Sequence, residues 1–165
     1  MQARTRRTAR ASIISLKGRL FRAARGQSLV EFALVIPILL ILVFGIIDFG
    51  MGLRSYISLT NATREGARFG AIGNPAGSYP ANCDGVSNTT VVGRVCVSLG
   101  DLSSTDLQNV TVSYPTGQNP GDSVVVAAHY HYNYITPLGD IVNFFSAGSL
   151  PAYLNLDAST DMRLE

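Results

Sequence analysis

Carboxylates are missing from the first 26 residues, which carry eight basic side chains: Arg4, Arg6, Arg7, Arg10, Lys17, Arg19, Arg22 and Arg25. Residues 27–165 hold the other five basic residues against all eleven acids, a net −6. Cysteine occurs only at Cys83 and Cys96, and histidine only at His129 and His131. Thirteen positions apart, with no second pair and no histidine nearby, the cysteines make poor zinc ligands. The two histidines share one face of a strand pattern but have no cysteine or carboxylate at ligand spacing. No nucleophile–base constellation and no glycine-rich phosphate loop appears. Asp48-Phe49-Gly50 spells a kinase tripeptide, but the motifs that make a kinase do not accompany it. These shortages argue against an enzyme, a resident metal or a cofactor. A basic head directly before an apolar run reads as a cytoplasmic flank by the positive-inside rule, not as a nucleic-acid arm.

Charge is also missing from Phe32–Ile47, and between Leu29 and Ile47 the only ionisable residue is Glu31. At about 1.5 Å per residue this run rises about 28 Å, close to the thickness of a bilayer core. Pro37 lies inside it, and membrane helices tolerate proline. No Ala-x-Ala site follows, so the run is expected to be retained as a single span rather than removed as a secretory signal. The N-terminus is then inside and residues 48–165 outside the cytoplasmic membrane, where a Cys83–Cys96 bridge would persist. A carboxylate at the centre of such a span costs roughly 2.5–3.5 kcal/mol, and less near an end. Glu31 therefore either reaches headgroup water or has a partner.

The rest of the chain divides by composition. Residues 1–26 form a basic leader, in which Ile13, Ile14, Leu16, Leu20 and Phe21 supply an apolar side suited to a short interfacial helix. Residues 27–72 keep a helical period from the span into an amphipathic stalk carrying Arg54, Arg64, Glu65 and Arg68. Ala62, Gly66, Gly70 and Gly73 recur on it at intervals of four, four and three. That stripe would admit a close helix, or merely end this one. Residues 73–165 form a small domain of about three antiparallel strands. Residues 73–85 are a loop, and 87–99 lean to a helix capped by Ser87 or Asn88, with a strand as the alternative. Strands are expected over 108–114, 123–134 and 152–164, with a short helix over 137–145. In the middle strand Val124, Val126, Ala128, Tyr130, Tyr132 and Tyr134 share one face. The fold class is α+β.

"RGQSLVEFALVIP" over residues 25–37 resembles the start of the TadE-like proteins, pseudopilins of the tight-adherence (Flp-type) pilus and a branch of the type IV pilin superfamily. "NATREGARFGAIG" resembles that family's A-x-R-E-G-A-R stretch, and the closing "STDMRLE" its common ending. The resemblance implies cleavage by a membrane prepilin peptidase after Gly26. Gln27 becomes the new N-terminus, Glu31 the characteristic glutamate, and Phe32 the aromatic residue that follows it. The new ammonium would lie about one helical turn from Glu31, in this chain or in a neighbour. The implied function is that of a minor pilin or pseudopilin in an adhesion pilus. Its partners would be the peptidase, other pilins, the assembly machinery and membrane lipid. Two alternatives remain. One is an uncleaved single-pass envelope protein that scaffolds the machinery or presents an adhesive domain. The other is a tethered ligand-binding domain.

Overall fold

The computed structural model describes the backbone of residues 8–77, 83, 86–146 and 151–165, and their side chains from residue 26 onward except 145 and 146. The start of the basic leader, 1–7, and most of the expected loop, 78–82 and 84–85, lie outside the described residues. Helix α1 runs from Thr8 to Ala71, with Pro37 inside it. It does not restart at Gln27, so the described leader and the span share one helix. The chain divides into two compact units, 1–43 and 44–165. In the first, the large apolar side chains Leu29, Val30, Phe32, Leu34, Val35, Ile38 to Leu40, Leu42 and Val43 are all exposed. Apolar on every side over this stretch, the helix calls for an apolar surround.

In the second unit the same helix becomes one-faced. Asp48, Gly52, Ser55, Leu59 and Ala62 are buried at alternating steps of four and three, followed by the adjacent pairs Ala62-Thr63, Gly66-Ala67 and Gly70-Ala71 at steps of four. That is the spacing of a single helical face. Most of these residues are small, so the partner surface comes close to the helix backbone. Two residues past the helix end comes Gly73, whose φ of +80° suits glycine and whose N–H donates to Gly70 O at 3.0 Å. Asn74 Nδ2 donates to Phe69 O at 3.0 Å.

The partner surface is a three-stranded antiparallel sheet of order β1-β2-β3: Leu107–Ser113, Ser123–Asn133 and Tyr153–Arg163. Central β2 pairs with β3 from Ser123↔Arg163 to Asn133↔Tyr153, and with β1 from Leu107↔Tyr130 to Ser113↔Val125. The alternation read in β2 holds. Val124, Val126, Ala128, Tyr130 and Tyr132 are buried, and β3 adds Leu156 and Ala158 to the same core. Fully burying a valine or leucine contributes roughly 1.5–3 kcal/mol. At the chain end Glu165 N donates to Ala71 O at 2.9 Å, returning the C-terminus to the end of α1. The α+β architecture expected from the sequence is therefore the one observed.

Residues 91–98 form helix α2, Val91–Ser98, as the periodicity favoured. Its cap is Thr90 and not Ser87 or Asn88: Thr90 Oγ1 accepts from Gly93 N at 3.1 Å. The Ser87–Asn88 backbone instead lies against Gly93, where a Cβ would stand 1.8 Å from Ser87 O. Val91, Val92, Val95 and Leu99 turn inward. Helix α3, Leu138–Ser146, lies in the connection from β2 to β3.

Candidate functional site

The junction between leader and span consists of Gly26, Gln27, Glu31 and Phe32, all exposed. Gln27 and Glu31 stand one turn apart, and Gln27 Nε2 donates to Glu31 Oε1 at 3.2 Å. In the intact chain Glu31 thus already has a partner, a neutral amide. Nothing lies within 4 Å of the position a Cβ on Gly26 would take. Glycine in a helix interior costs about 1 kcal/mol relative to alanine, so the helix is locally easier to open here. From Leu29 through Pro37 to Ile47 the helix is unbroken. Among the described residues one helix, Gly26–Ala71, is long and apolar enough to cross a membrane. The chain reads as a single-pass, membrane-anchored protein.

Past the span, the A-T-R-E-G-A-R stretch is a docking face for α2. A Cβ on Gly66 would stand 2.4 Å from Val95 Cγ2, and one on Gly70 3.2 Å from Val124 and Val91. The small-residue stripe therefore does admit a close helix, and that helix is the chain's own α2; β2 takes the next position along. Glu65 faces two guanidinium groups, with Arg68 Nε at 3.4 Å and Arg94 Nε at 3.5 Å. Arg94 also lies over the Phe69 ring, 5.1 Å from its centroid. Cys83 and Cys96 are bonded, with their Cα atoms 5.6 Å apart, which ties the loop to α2.

Asp48 does more than close the span. It is 4% exposed, and one carboxylate oxygen accepts from Ile135 N at 2.9 Å and Thr136 N at 3.2 Å. The other accepts from the Thr136 hydroxyl. Thr136 Oγ1 in turn accepts from Leu138 N at 3.3 Å, at the start of α3. No local motif announces this tie, because its partners lie 87 and 88 residues away.

Beside Asp48 an apolar groove of about 360 Å³ runs between α1 and the far end of the sheet, with Gly45, Phe49, Gly52, Tyr132, Tyr134 and Leu138 among its walls. Burial, and then the nearby Asp48 carboxylate, push the Tyr132 hydroxyl above the usual tyrosine range. Burial and then Asp106 do the same for Tyr130, against a lowering hydrogen bond from Ser103.

The histidines lie on the opposite, outward face of β2. His129 Nδ1 is 2.6 Å from Asp157 Oδ1, and His131 stacks on Tyr153 with ring centroids 4.0 Å apart. Among the described residues no group of three histidine, cysteine or carboxylate side chains is placed to hold a metal ion.

The architecture defines a class: a membrane-length helix whose second half is built into a small α+β domain. Residues 26–68 match the family model described as TadE-like protein. The match takes in residues 26–37 of the first resembling segment and 61–68 of the second, and stops before residues 69–165. Comparison with curated proteins and with solved structures gives no match. The TadE-like segment points to a role connected with the tight-adherence pilus.

Proposed function

We propose that this chain is the precursor of a minor pilin or pseudopilin of a tight-adherence pilus. It would be held in the cytoplasmic membrane by α1, with its basic leader inside and residues 48–165 outside. Its working segments would be 1–26, removed by a prepilin peptidase; 27–72, span and stalk; and 73–165, the outer domain. The observation that carries this reading is the TadE-like match over residues 26–68, which contains the Gly26, Gln27 and Glu31 spacing. Cutting after Gly26 would leave an ammonium on Gln27 at the start of a helix. The helix dipole disfavours a cation there and favours an anion. Glu31, one turn on, would offset that penalty, and in a bundle the carboxylate of a neighbour would serve equally. The apolar surface from Leu29 to Ile47 would hold the precursor in lipid and later pack against other pilins.

A second reading has its own support. Because Gln27 Nε2 already satisfies Glu31 in the uncut chain, a permanently anchored scaffold or adhesive protein needs no cleavage. N-terminal sequencing of the protein isolated from membranes separates the two. A chain beginning at Gln27 supports the precursor reading. A chain beginning at Met1 supports the uncut anchor and overturns the precursor.

A further inference from the structure

We infer that the groove beside Asp48 is a seat for one acyl chain of a membrane phospholipid, drawn from the leaflet on the C-terminal side of the span. The inference rests on α1 lying in a membrane and needs neither cleavage nor fibre assembly. The first observation is continuity. Phe44–Ile47, the last four residues of the apolar run, belong to the same compact unit as the sheet, and Gly45 among them is also a wall of the groove. A span that ends at Asp48 thus opens the groove at the edge of the hydrocarbon, where lipid chains already surround the helix.

The second observation is chemistry. Apart from Asp48, whose carboxylate is engaged by Ile135 and Thr136, the walls are glycine, leucine, phenylalanine and tyrosine. Tyrosine rings concentrate where hydrocarbon meets headgroups, and Tyr56, Tyr132 and Tyr134 are all at this site. Phe49 is 75% exposed on its rim, and on α3, which follows the turn that Asp48 holds, Phe144 is 84% exposed. Such side chains are costly in water and at home at a bilayer surface.

The third observation is size. Ligand pockets range over about 300–1,000 Å³, and 360 Å³ lies at the low end. A single turn of a helix from a second copy, about 10 Å across with its side chains, occupies roughly 420 Å³, more than the groove holds. One flexible chain fits.

Two glycines provide the test. Nothing lies within 4 Å of a Cβ on Gly45, which is a wall of the groove, or of one on Gly50, which is not. Gly45→Leu would plug the seat while keeping the helix apolar, and Gly50→Leu is the matched control. The full chain is reconstituted in phosphatidylcholine vesicles containing a phosphatidylcholine with a mid-chain diazirine. Light-induced adducts are then mapped by peptide mass spectrometry. The expected result is adducts on residues 34–43 of the span and also on 132–138 and 154–156. The 115–122 turn, at the opposite end of β2, serves as background. Gly45→Leu should lower the 132–138 and 154–156 adducts to that background with the span unchanged, and Gly50→Leu should alter neither set. Span adducts without wall adducts would overturn the proposal, as would wall adducts indifferent to Gly45→Leu. Cross-links from the wall to the 29–47 segment of a second copy would make the groove a protein interface instead. Absence of span adducts would remove the membrane placement, and the proposal with it.

Discussion

Replacing Asp48 tests whether a single carboxylate holds the end of the span to the β2–β3 connection. The carboxylate accepts two backbone N–H groups, from Ile135 at 2.9 Å and Thr136 at 3.2 Å, and the Thr136 hydroxyl. Hydrogen bonds to an ionised group contribute about 1.5–3 kcal/mol each when buried. Ile135 is exposed, so part of the freed backbone would hydrate once the side chain is gone. That puts Asp48→Ala at about 2–4 kcal/mol against local opening of the 135–138 turn, well below three full bonds. At 1.4 kcal/mol per tenfold, exchange of the Ile135 and Thr136 amides should accelerate by about 30- to 700-fold.

Asp48→Asn is the sharper variant. Its carbonyl still accepts from both amides, but neutral bonds are about half as strong as charged ones. The cost should be about 1 kcal/mol, an acceleration of roughly tenfold or less. Hydrogen exchange on the full chain in detergent, read on peptides covering 134–139 and compared with peptides from β2, measures both. A second reading comes from Tyr132, which loses its second source of perturbation and should ionise at lower pH in either variant. Unchanged exchange in Asp48→Ala would refute the tie. Equal damage from Asn and Ala would refute the hydrogen-bond arithmetic and assign the effect to charge alone.

Further outcomes follow from the same geometry. Gly66→Ala gains about 1 kcal/mol of helix propensity but drives a Cβ to 2.4 Å from the stiff, buried Val95, and overpacking costs about 1–3 kcal/mol. It should be neutral to destabilising, whereas Gly50→Ala, in open space, should be stabilising; thermal unfolding of the two side by side checks the contrast. Cys83→Ser opens a loop of about 14 residues and should cost about 3 kcal/mol in the chain-entropy model. Alkylation of unreduced protein should modify neither cysteine. Glu31→Gln should insert and be cut, yet leave the Gln27 ammonium without its counter-ion, so mature protein should fail to support pili; normal piliation would refute the pairing. For Tyr130 and Tyr132 the folded state favours the neutral hydroxyl. Their contribution is complete below the ordinary tyrosine value of about 10 and is lost as pH rises through the higher folded values. Absorbance titration should show these two ionising late, together with loss of near-ultraviolet dichroism.

Where a pattern is local, the sequence carried it. The period of two in Val124–Tyr134, the period of 3.6 in Val91–Leu99 and the uncharged run Phe32–Ile47 each depend on neighbours within one element, and each element forms as its pattern indicates. What escaped depends on packing or on distant partners. The cap of α2 moved to Thr90 because the Ser87–Asn88 backbone is pressed against Gly93, a packing fact that capping preference does not contain. Asp48 looked like the polar end of a span because its three donors lie on a turn far along the chain. The leader gave no helix boundary at Gln27 because nothing between Arg25 and Ser28 stops a helix; Gly26 lowers the propensity without ending it.

The TadE-like segment is therefore two surfaces on one helix. Residues 29–47 present apolar side chains all round, which suits a surround of lipid or of other helices and places few demands on any single contact. From Asp48 to Arg68 the demands are specific. Gly66 leaves no space before Val95, Thr63 Oγ1 meets Thr160 Oγ1 at 3.0 Å, and Glu65 bridges Arg68 and Arg94. A substitution within residues 32–44 that preserves hydropathy should thus be absorbed, while one of equal hydropathy on the buried face after Asp48 should unseat the sheet or α2. The transition falls at Asp48 itself, where the helix leaves one solvent and acquires a core. Any motion that loosens the Asp48 tie would free the β2–β3 connection and α3 at the membrane end of the domain, while the contacts at Thr63, Glu65 and Gly66 continue to hold the sheet and α2 on the helix.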